Sequence, residues 1–395
     1  MRVLLTSESF LPYLSGVTVS VDTQARALGA RGHEVLVLAP RPREGENPGP
    51  VGSPGPAPRY AWLPSYQLPR IAPDGYRMPI PLPWTDAVAD ARRFEPDIVH
   101  AHSPFVTGLL ARRLSRESSA PLVFTHHTRF ADYGHYLGPL AGPGAAVTDA
   151  YMGAFWKACA VIVAPSTDLA AEIRARLPTD GRTRVKVIAT GVDVSGVRAL
   201  EPRDVRFEAG WPADVVVAAS LGRLAPEKSP MDVLEAFALT DASRLRLVMV
   251  GGGPSEEQLR ARAAAFDLSG RTWFTGALPR LEALATVAAA DLFVFASRTE
   301  TQGLVLAEAL SAGLPAVAVD GPGVRDSVRD GIDGLVVAAA PAHGLTRRLA
   351  TAIEALAADA QRRAAMARRA VDDADRFSID RRTDELEALY RSLLA

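Results

Sequence analysis

Short, unbroken apolar runs punctuate this chain, and their rhythm limits the fold more than any single motif does. Val3–Thr6, Glu34–Ala39, Asp97–Ala101, Pro121–Thr125, Val161–Pro165 and Val185–Ala189 each read as a strand buried on both faces, with loops and helical stretches between them. The pattern lapses between Thr190 and Asp204. It then restarts with Val215–Leu221, Arg246–Gly251, Thr272–Thr275, Leu292–Ala296 and Leu314–Val319. Continuous apolar strands alternating with helices predict parallel, doubly wound sheets. A chain of 395 residues is also too long for one ordinary core. The expected fold is therefore α/β, with two Rossmann-like doubly wound domains facing across a cleft. Residues 1–195 form the first domain and residues 196–375 the second. Residues 376–395 hold a last helix, about Arg381–Leu394, which places Leu386, Leu389, Tyr390 and Leu393 on one face and should pack back toward the N-terminal domain.

Composition excludes several classes. Apolar residues make up 48% and charged residues 23%, as in a globular protein. A net charge of −1 argues against bulk electrostatic binding of nucleic acid. Cys159 is the one cysteine, so no internal disulfide exists, and its apolar surroundings (WKACAVIVAP) read as a buried thiol. No leader-like segment and no apolar span of roughly 20 residues appears, so the expected location is the cytoplasm, with peripheral attachment at the inner face of the membrane allowed.

Residues Pro40–Pro83 differ in kind. Pro and Gly crowd the first part. Tyr60, Trp62, Tyr66, Arg70, Tyr76 and Arg77 follow, either offering aromatics and cations to an acceptor or membrane surface, or packing as an irregular loop on their own domain. Arg129–Tyr136 (RFADYGHY), with Asp132, Tyr133 and Tyr136, reads as an acceptor-facing loop.

Chemistry concentrates in Ser297–Gly323. Glu300 and Glu308 bracket a loop and the start of an almost wholly apolar helix, and a carboxylate in such a helix needs polar partners. Thr301, Gln302 and Gly303 would open that helix, where free N–H groups and the dipole favour an anion. In the loop GRLAPEK, Arg223 and Lys228 follow a strand on the same sheet end as Glu300, a cationic pair suited to a diphosphate. Gly16 lies where the first strand's loop meets its helix and serves either the turn or an approaching anion. His126 and His127 end another strand. No carboxylate or cysteine stands at metal-ligand spacing from them, which leaves a substrate-facing role for His127 or structural hydrogen bonding.

Taken together, Glu300-x7-Glu308, GRLAPEK and the N-terminal glycine loop resemble the retaining glycosyltransferases of family 4, which have the GT-B fold. The resemblance runs essentially the whole length. HSPFVTGLLARR, THHTRFADYGHY, ATGVD and TETQGLVLAEAL are most similar to the diacylglycerol glucosyltransferases and related lipid-directed enzymes. The resemblance implies that Glu308 holds the nucleotide ribose and Glu300 the hydroxyls of the transferred sugar. The main chain of Gln302, Gly303 and Leu304 would meet sugar or phosphate, and Leu278 the base. Arg223 and Lys228 would neutralise the leaving diphosphate, Gly16 would let backbone approach it, and His127 would lie beside the anomeric carbon. It implies no metal and no cofactor, a nucleotide-sugar donor, and a lipid acceptor. Many members have phenylalanine where Gln302 stands, as it does in the lipid-directed branch. The expected activity is transfer of glucose from UDP-glucose to diacylglycerol or a similar lipid. The alternative is a GDP-mannose-dependent mannosyltransferase. A nucleotide-sugar-binding sensor would be expected to lack one of Glu300, Glu308, Arg223 or Lys228, and all four are present.

Overall fold

A computed structural model describes residues 1–46, 53–67, 75–80, 82, 84–129, 141–178, 181–240 and 244–395, with side chains omitted for 141–146. The chain divides into two compact units, Met1–Gly191 with Ile379–Ala395, and Val192–Ser378. The second unit is thus inserted into the first.

In the first unit the strands are β1 (Arg2–Thr6), β2 (Glu34–Pro40), β3 (Arg59–Leu63), β4 (Ser65–Tyr66), β5 (Met78–Pro79), β6 (Ile98–Ala101), β7 (Leu122–Thr125), β8 (Val161–Ala164) and β9 (Arg184–Val187). Seven of them form one parallel sheet in the order β3-β2-β1-β6-β7-β8-β9, and β4 and β5 make a small antiparallel pair. The order reverses direction between β1 and β6, so the loops after these two strands part at a switch point. Helix Gly16–Ala30 starts at Ser15, whose hydroxyl accepts from the Thr18 amide in a capping box. Its buried face carries Val19, Val21, Ala25 and Leu28, and also Asp22 and Arg26, which pair at 2.9 Å.

Strand β3 lies in the Pro/Gly-rich stretch that sequence left without a strand. Pairing with β2, from Leu36 opposite Arg59 to Pro40 opposite Leu63, supplies what local pattern does not. Its aromatics are packed: Tyr60 and Trp62 stack at 4.8 Å and both meet Phe10. Arg77 donates to the Ser65 hydroxyl and carbonyl at 2.8 Å, while Tyr66 stays exposed. Arg70 lies outside the described residues.

The second unit holds β10 (Val216–Leu221), β11 (Leu245–Val250), β12 (Thr272–Gly276), β13 (Leu292–Phe295), β14 (Ala316–Val319) and β15 (Gly334–Val337), all parallel, in the order β12-β11-β10-β13-β14-β15. Separate apolar clusters cover its two faces, as the unbroken apolar strands require. Here the switch point falls between β10 and β13.

The chain returns to the first unit at Ile379. The two passes that join the units run side by side: the Val192 amide donates to the Phe377 carbonyl at 2.7 Å, and a Cβ on Gly191 would stand 2.6 Å from the Ile379 Cα. Helix Ile379–Leu394 then buries Leu386, Leu389 and Tyr390 in the first unit, where each burial contributes about 1.5–3 kcal/mol. Among the described residues no helix is long and apolar enough to cross a membrane.

Candidate active site

At the switch point of the second unit, the loops after β10 and β13 come together. Lys228 Nζ lies 2.5 Å from Glu300 Oε1, and the Thr299 hydroxyl donates to the Glu227 carbonyl at 2.9 Å. The resemblance implies a diphosphate for Lys228 and a sugar for Glu300; the structure pairs the two side chains directly. Arg223 is exposed and makes no ion pair with any described residue. The site therefore holds a charge-neutral couple and one uncommitted cation.

The loop after β11 fixes the GRLAPEK backbone. Leu224 donates to the Gly252 carbonyl at 3.0 Å, and the Ser255 amide donates back to Leu224 at 2.9 Å. Gly251 has φ +128°, and a Cβ there would stand 2.1 Å from the Gly222 carbonyl oxygen. Gly251→Ala is expected to destabilise the protein by about 1–3 kcal/mol, from strain and displacement of the Arg223 loop. Urea unfolding checks this; an unchanged midpoint would show that the two loops are not held in register.

Helix Leu304–Ser311 opens one turn later than sequence suggested. Gly303, at φ +71°, is its N-cap, so Thr301 and Gln302 lie in the loop before it. Gln302 is buried, and Gly323 packs so closely that a Cβ would reach 2.8 Å from the Gln302 Cα. Glu308 is 1% exposed. Its Oε1 accepts from the Arg280 guanidinium, while its Oε2 has no hydrogen-bond partner among the described residues. A buried carboxylate with one satisfied oxygen is an acceptor waiting for a donor such as a hydroxyl. Arg280 opens the helix Arg280–Ala288 directly after the turn that carries the half-buried Leu278, so Leu278 and Glu308 belong to one neighbourhood. Sequence reasoning missed Arg280, because no spacing rule links residues so far apart.

In the first unit, Gly16 has an ordinary backbone and nothing within 4 Å of a built Cβ. Neither turn geometry nor packing demands glycine there. His127 sits after β7, its Nε2 2.8 Å from His102 Nδ1. Burial holds the His127 imidazole down at about 4, and His100 and His126 are held at about 3, chiefly by burial and then by their histidine neighbours. His127 is thus a neutral group near pH 7. Glu8, at the end of β1, was also missed. Its Oε2 accepts from the Thr107 amide and hydroxyl at 2.9 and 3.0 Å, capping helix Val106–Ser118, and burial raises its pKa. Asp132, Tyr133 and Tyr136 lie outside the described residues. Among the described residues no group of three or more His, Cys, Asp or Glu side chains could hold a metal. Cys159 is buried, and burial pushes its thiol up.

Comparison with known proteins follows the same division. Residues 203–372 match the glycosyl transferases group 1 family, and residues 14–195 match glycosyltransferase family 4. The chain is 30% identical over 350 residues to the alpha-monoglucosyldiacylglycerol synthase of Acholeplasma laidlawii, covering 85% of this chain and 84% of that one. The chain belongs to the family 4 glycosyltransferases. This glycosyltransferase is also 31% identical over 372 residues to the GDP-mannose-dependent alpha-mannosyltransferase of Mycobacterium tuberculosis, covering 94% of this chain and 92% of that one. Among solved structures, Anabaena HepE in complex with UDP and glucose superposes with a TM-score of 0.73 at 20% identity, over 99% of this chain and 100% of that one. The glycosyltransferase thus has the α/β fold of the GT-B enzymes, with a parallel sheet in each unit.

Proposed function

We propose that this glycosyltransferase moves glucose from UDP-glucose to a membrane lipid of the diacylglycerol type, with retention of configuration and without a metal or other cofactor. The observation that carries the donor side is the half-partnered Glu308 carboxylate, buried close to the Leu278 turn, on a sheet end that also presents the Lys228–Glu300 pair. Ribose hydroxyls supply the donors that Glu308 Oε2 lacks. The diphosphate draws Lys228 from Glu300 and takes Arg223 as its second cation, which leaves Glu300 to accept from sugar hydroxyls. Amides at Gln302, Gly303 and Leu304 meet phosphate or sugar, main chain at Leu278 meets the base, and Gly16 permits backbone approach. His127 faces the transferred sugar. Asp132, Tyr133 and Tyr136 are assigned to the acceptor. Same-face attack, with the leaving phosphate as base, accounts for retention, because no carboxylate is assigned behind the anomeric carbon. The lipid acceptor rests on likeness to the alpha-monoglucosyldiacylglycerol synthase.

Peripheral membrane contact is proposed for the first unit. The packing of Tyr60, Trp62 and Arg77 moves the candidate residues to exposed apolar side chains there: Trp84, Leu14, Phe105 and Leu109. The second reading, GDP-mannose as donor, is favoured by the longer alignment with the mycobacterial mannosyltransferase. Melting with UDP and with GDP separates the two readings. UDP is expected to raise the melting temperature more, and turnover of UDP-glucose is expected on vesicles containing diacylglycerol. Stabilisation by GDP alone would move the donor to GDP-mannose, and turnover with soluble acceptors only would remove the lipid.

A further inference from the structure

Strand β6 ends in His100 and Ala101, and His102 follows directly, so the two imidazoles lie on the same side and face each other. They stack with ring centroids 4.4 Å apart and planes 25° apart, and His127 lies edge to edge beside His102, its centroid 5.1 Å away and its plane tilted by 21°. Each ring is tied at its edge. His100 Nδ1 lies 2.6 Å from the Tyr390 hydroxyl, and its Nε2 lies 2.7 Å from the Thr125 hydroxyl. His102 Nδ1 lies 2.8 Å from His127 Nε2. His102 is 2% exposed, and its Nε2 has no partner among the described residues.

That unpartnered nitrogen decides where the protons sit. Two neutral imidazoles joined nitrogen to nitrogen share one proton. If His127 Nε2 carried it, His102 would need its own proton on Nε2, leaving a buried N–H with no acceptor. If His102 Nδ1 carries it, His102 Nε2 is a bare lone pair. Orphaned buried donors are the rarer of the two defects. We infer that His102 is a positioning residue: its Nδ1–H donates to His127 Nε2, fixes the His127 proton on Nδ1, and is itself held in place by His100 and Tyr390. His127 is then a neutral imidazole with its proton on the edge away from His102, and its Nε2 is already occupied and takes no proton in the reaction. This inference deepens the reading of His127 as the sugar-facing residue and rests on it.

The test reads the proton directly. Nitrogen-15 spectra of labelled full-length protein resolve the tautomer of each of the seven histidines, and His127→Asn assigns the signal. The expected spectrum has His127 protonated on Nδ1 between about pH 5.5 and 8. His102→Leu should let His127 redistribute between tautomers and lower kcat for UDP-glucose with diacylglycerol vesicles by on the order of tenfold, moving KM for the donor far less. His102→Asn, whose side-chain amide can donate from nearly the place of Nδ1, should restore both. A His127 protonated on Nε2 in the unaltered protein overturns the inference, as does His102→Leu with tautomer and kcat unchanged. If His102→Leu does not fold, the unaltered spectrum and His102→Asn decide. Absence of turnover with any nucleotide sugar would sink the functional reading while leaving the spectrum to judge the proton.

Discussion

Replacing Lys228 by alanine is expected to lower kcat/KM for sugar transfer by about 10²- to 10³-fold, while a melting shift with UDP is largely retained. Breaking a glycosyl–phosphate bond builds charge on the leaving diphosphate. A fixed cation that meets this charge stabilises the transition state more than the ground state, and removing one such group is worth about 2.7–4 kcal/mol. Lys228 can supply it because the 3-10 turn Pro226–Lys228 sets its backbone and Glu300 Oε1 holds its ammonium at 2.5 Å before substrate arrives. Removing the lysine also leaves Glu300 without its observed cation, so the carboxylate and the diphosphate would repel each other. Lys228→Arg should recover little, because a planar fork does not reproduce a compact ammonium at that distance. Single-turnover rates and UDP melting shifts on the same preparations check this. A loss shared equally by UDP binding and transfer would make Lys228 a binding residue only.

Acid should unfold the first unit earlier than its carboxylates alone would dictate. His100, His102, His126 and His127 are all held below the ordinary histidine value, chiefly by burial. A histidine whose folded pKa is depressed binds fewer protons folded than unfolded between the two values. Stability therefore falls as pH drops from about 6.5 toward 4. For one group moved from 6.5 to about 4, as His127 is, the loss by pH 5 is about 2 kcal/mol. Against a total of about 5–15 kcal/mol, even two such groups matter. Glu117, held at about 2 by Arg92 and Arg113, acts in a lower window, below about pH 4.5. Urea unfolding between pH 7 and 4.5 should show an uptake of two or more protons on unfolding. Stability that stays level from pH 6.5 to 5 would mean these histidines titrate in the folded protein as they do in the unfolded chain.

The central strands were legible because they are buried on both faces and read as unbroken apolar runs, and the switch-point loops followed from them; β9, a sheet edge with Arg184, Lys186 and Val187 exposed, is not the buried strand that its apolar residues suggest. Glu300, Glu308 and Lys228 stand out through spacing and the chemistry of their neighbours, and the structure pairs Lys228 with Glu300 and buries Glu308. Strand β3 was not legible, because five residues after a Pro-rich stretch carry no period of their own and gain their pairing from β2. Helix Leu304–Ser311 was placed early because a glycine at φ +71° looks, in sequence, like part of an N-terminal turn. Arg280 beneath Glu308 and Tyr390 against His100 were beyond reach, since each contact joins elements distant in the chain. The alternation His100-Ala101-His102 at the end of β6 is a sequence signal for two imidazoles on one side; it does not carry their partners.

Because residues 192–378 interrupt the first unit, synthesis and completion run in opposite orders. The inserted unit is contiguous and can close while the ribosome is still working. The first unit has all its strands early yet waits through roughly 190 further residues, about 10–40 s at usual elongation rates, for the segment that carries Tyr390. During that interval the nascent sheet has β1 to β9 but lacks the tyrosine that anchors its histidine stack. Premature termination anywhere between residue 191 and Tyr390 therefore leaves a first unit without its final anchor, however intact its earlier sequence.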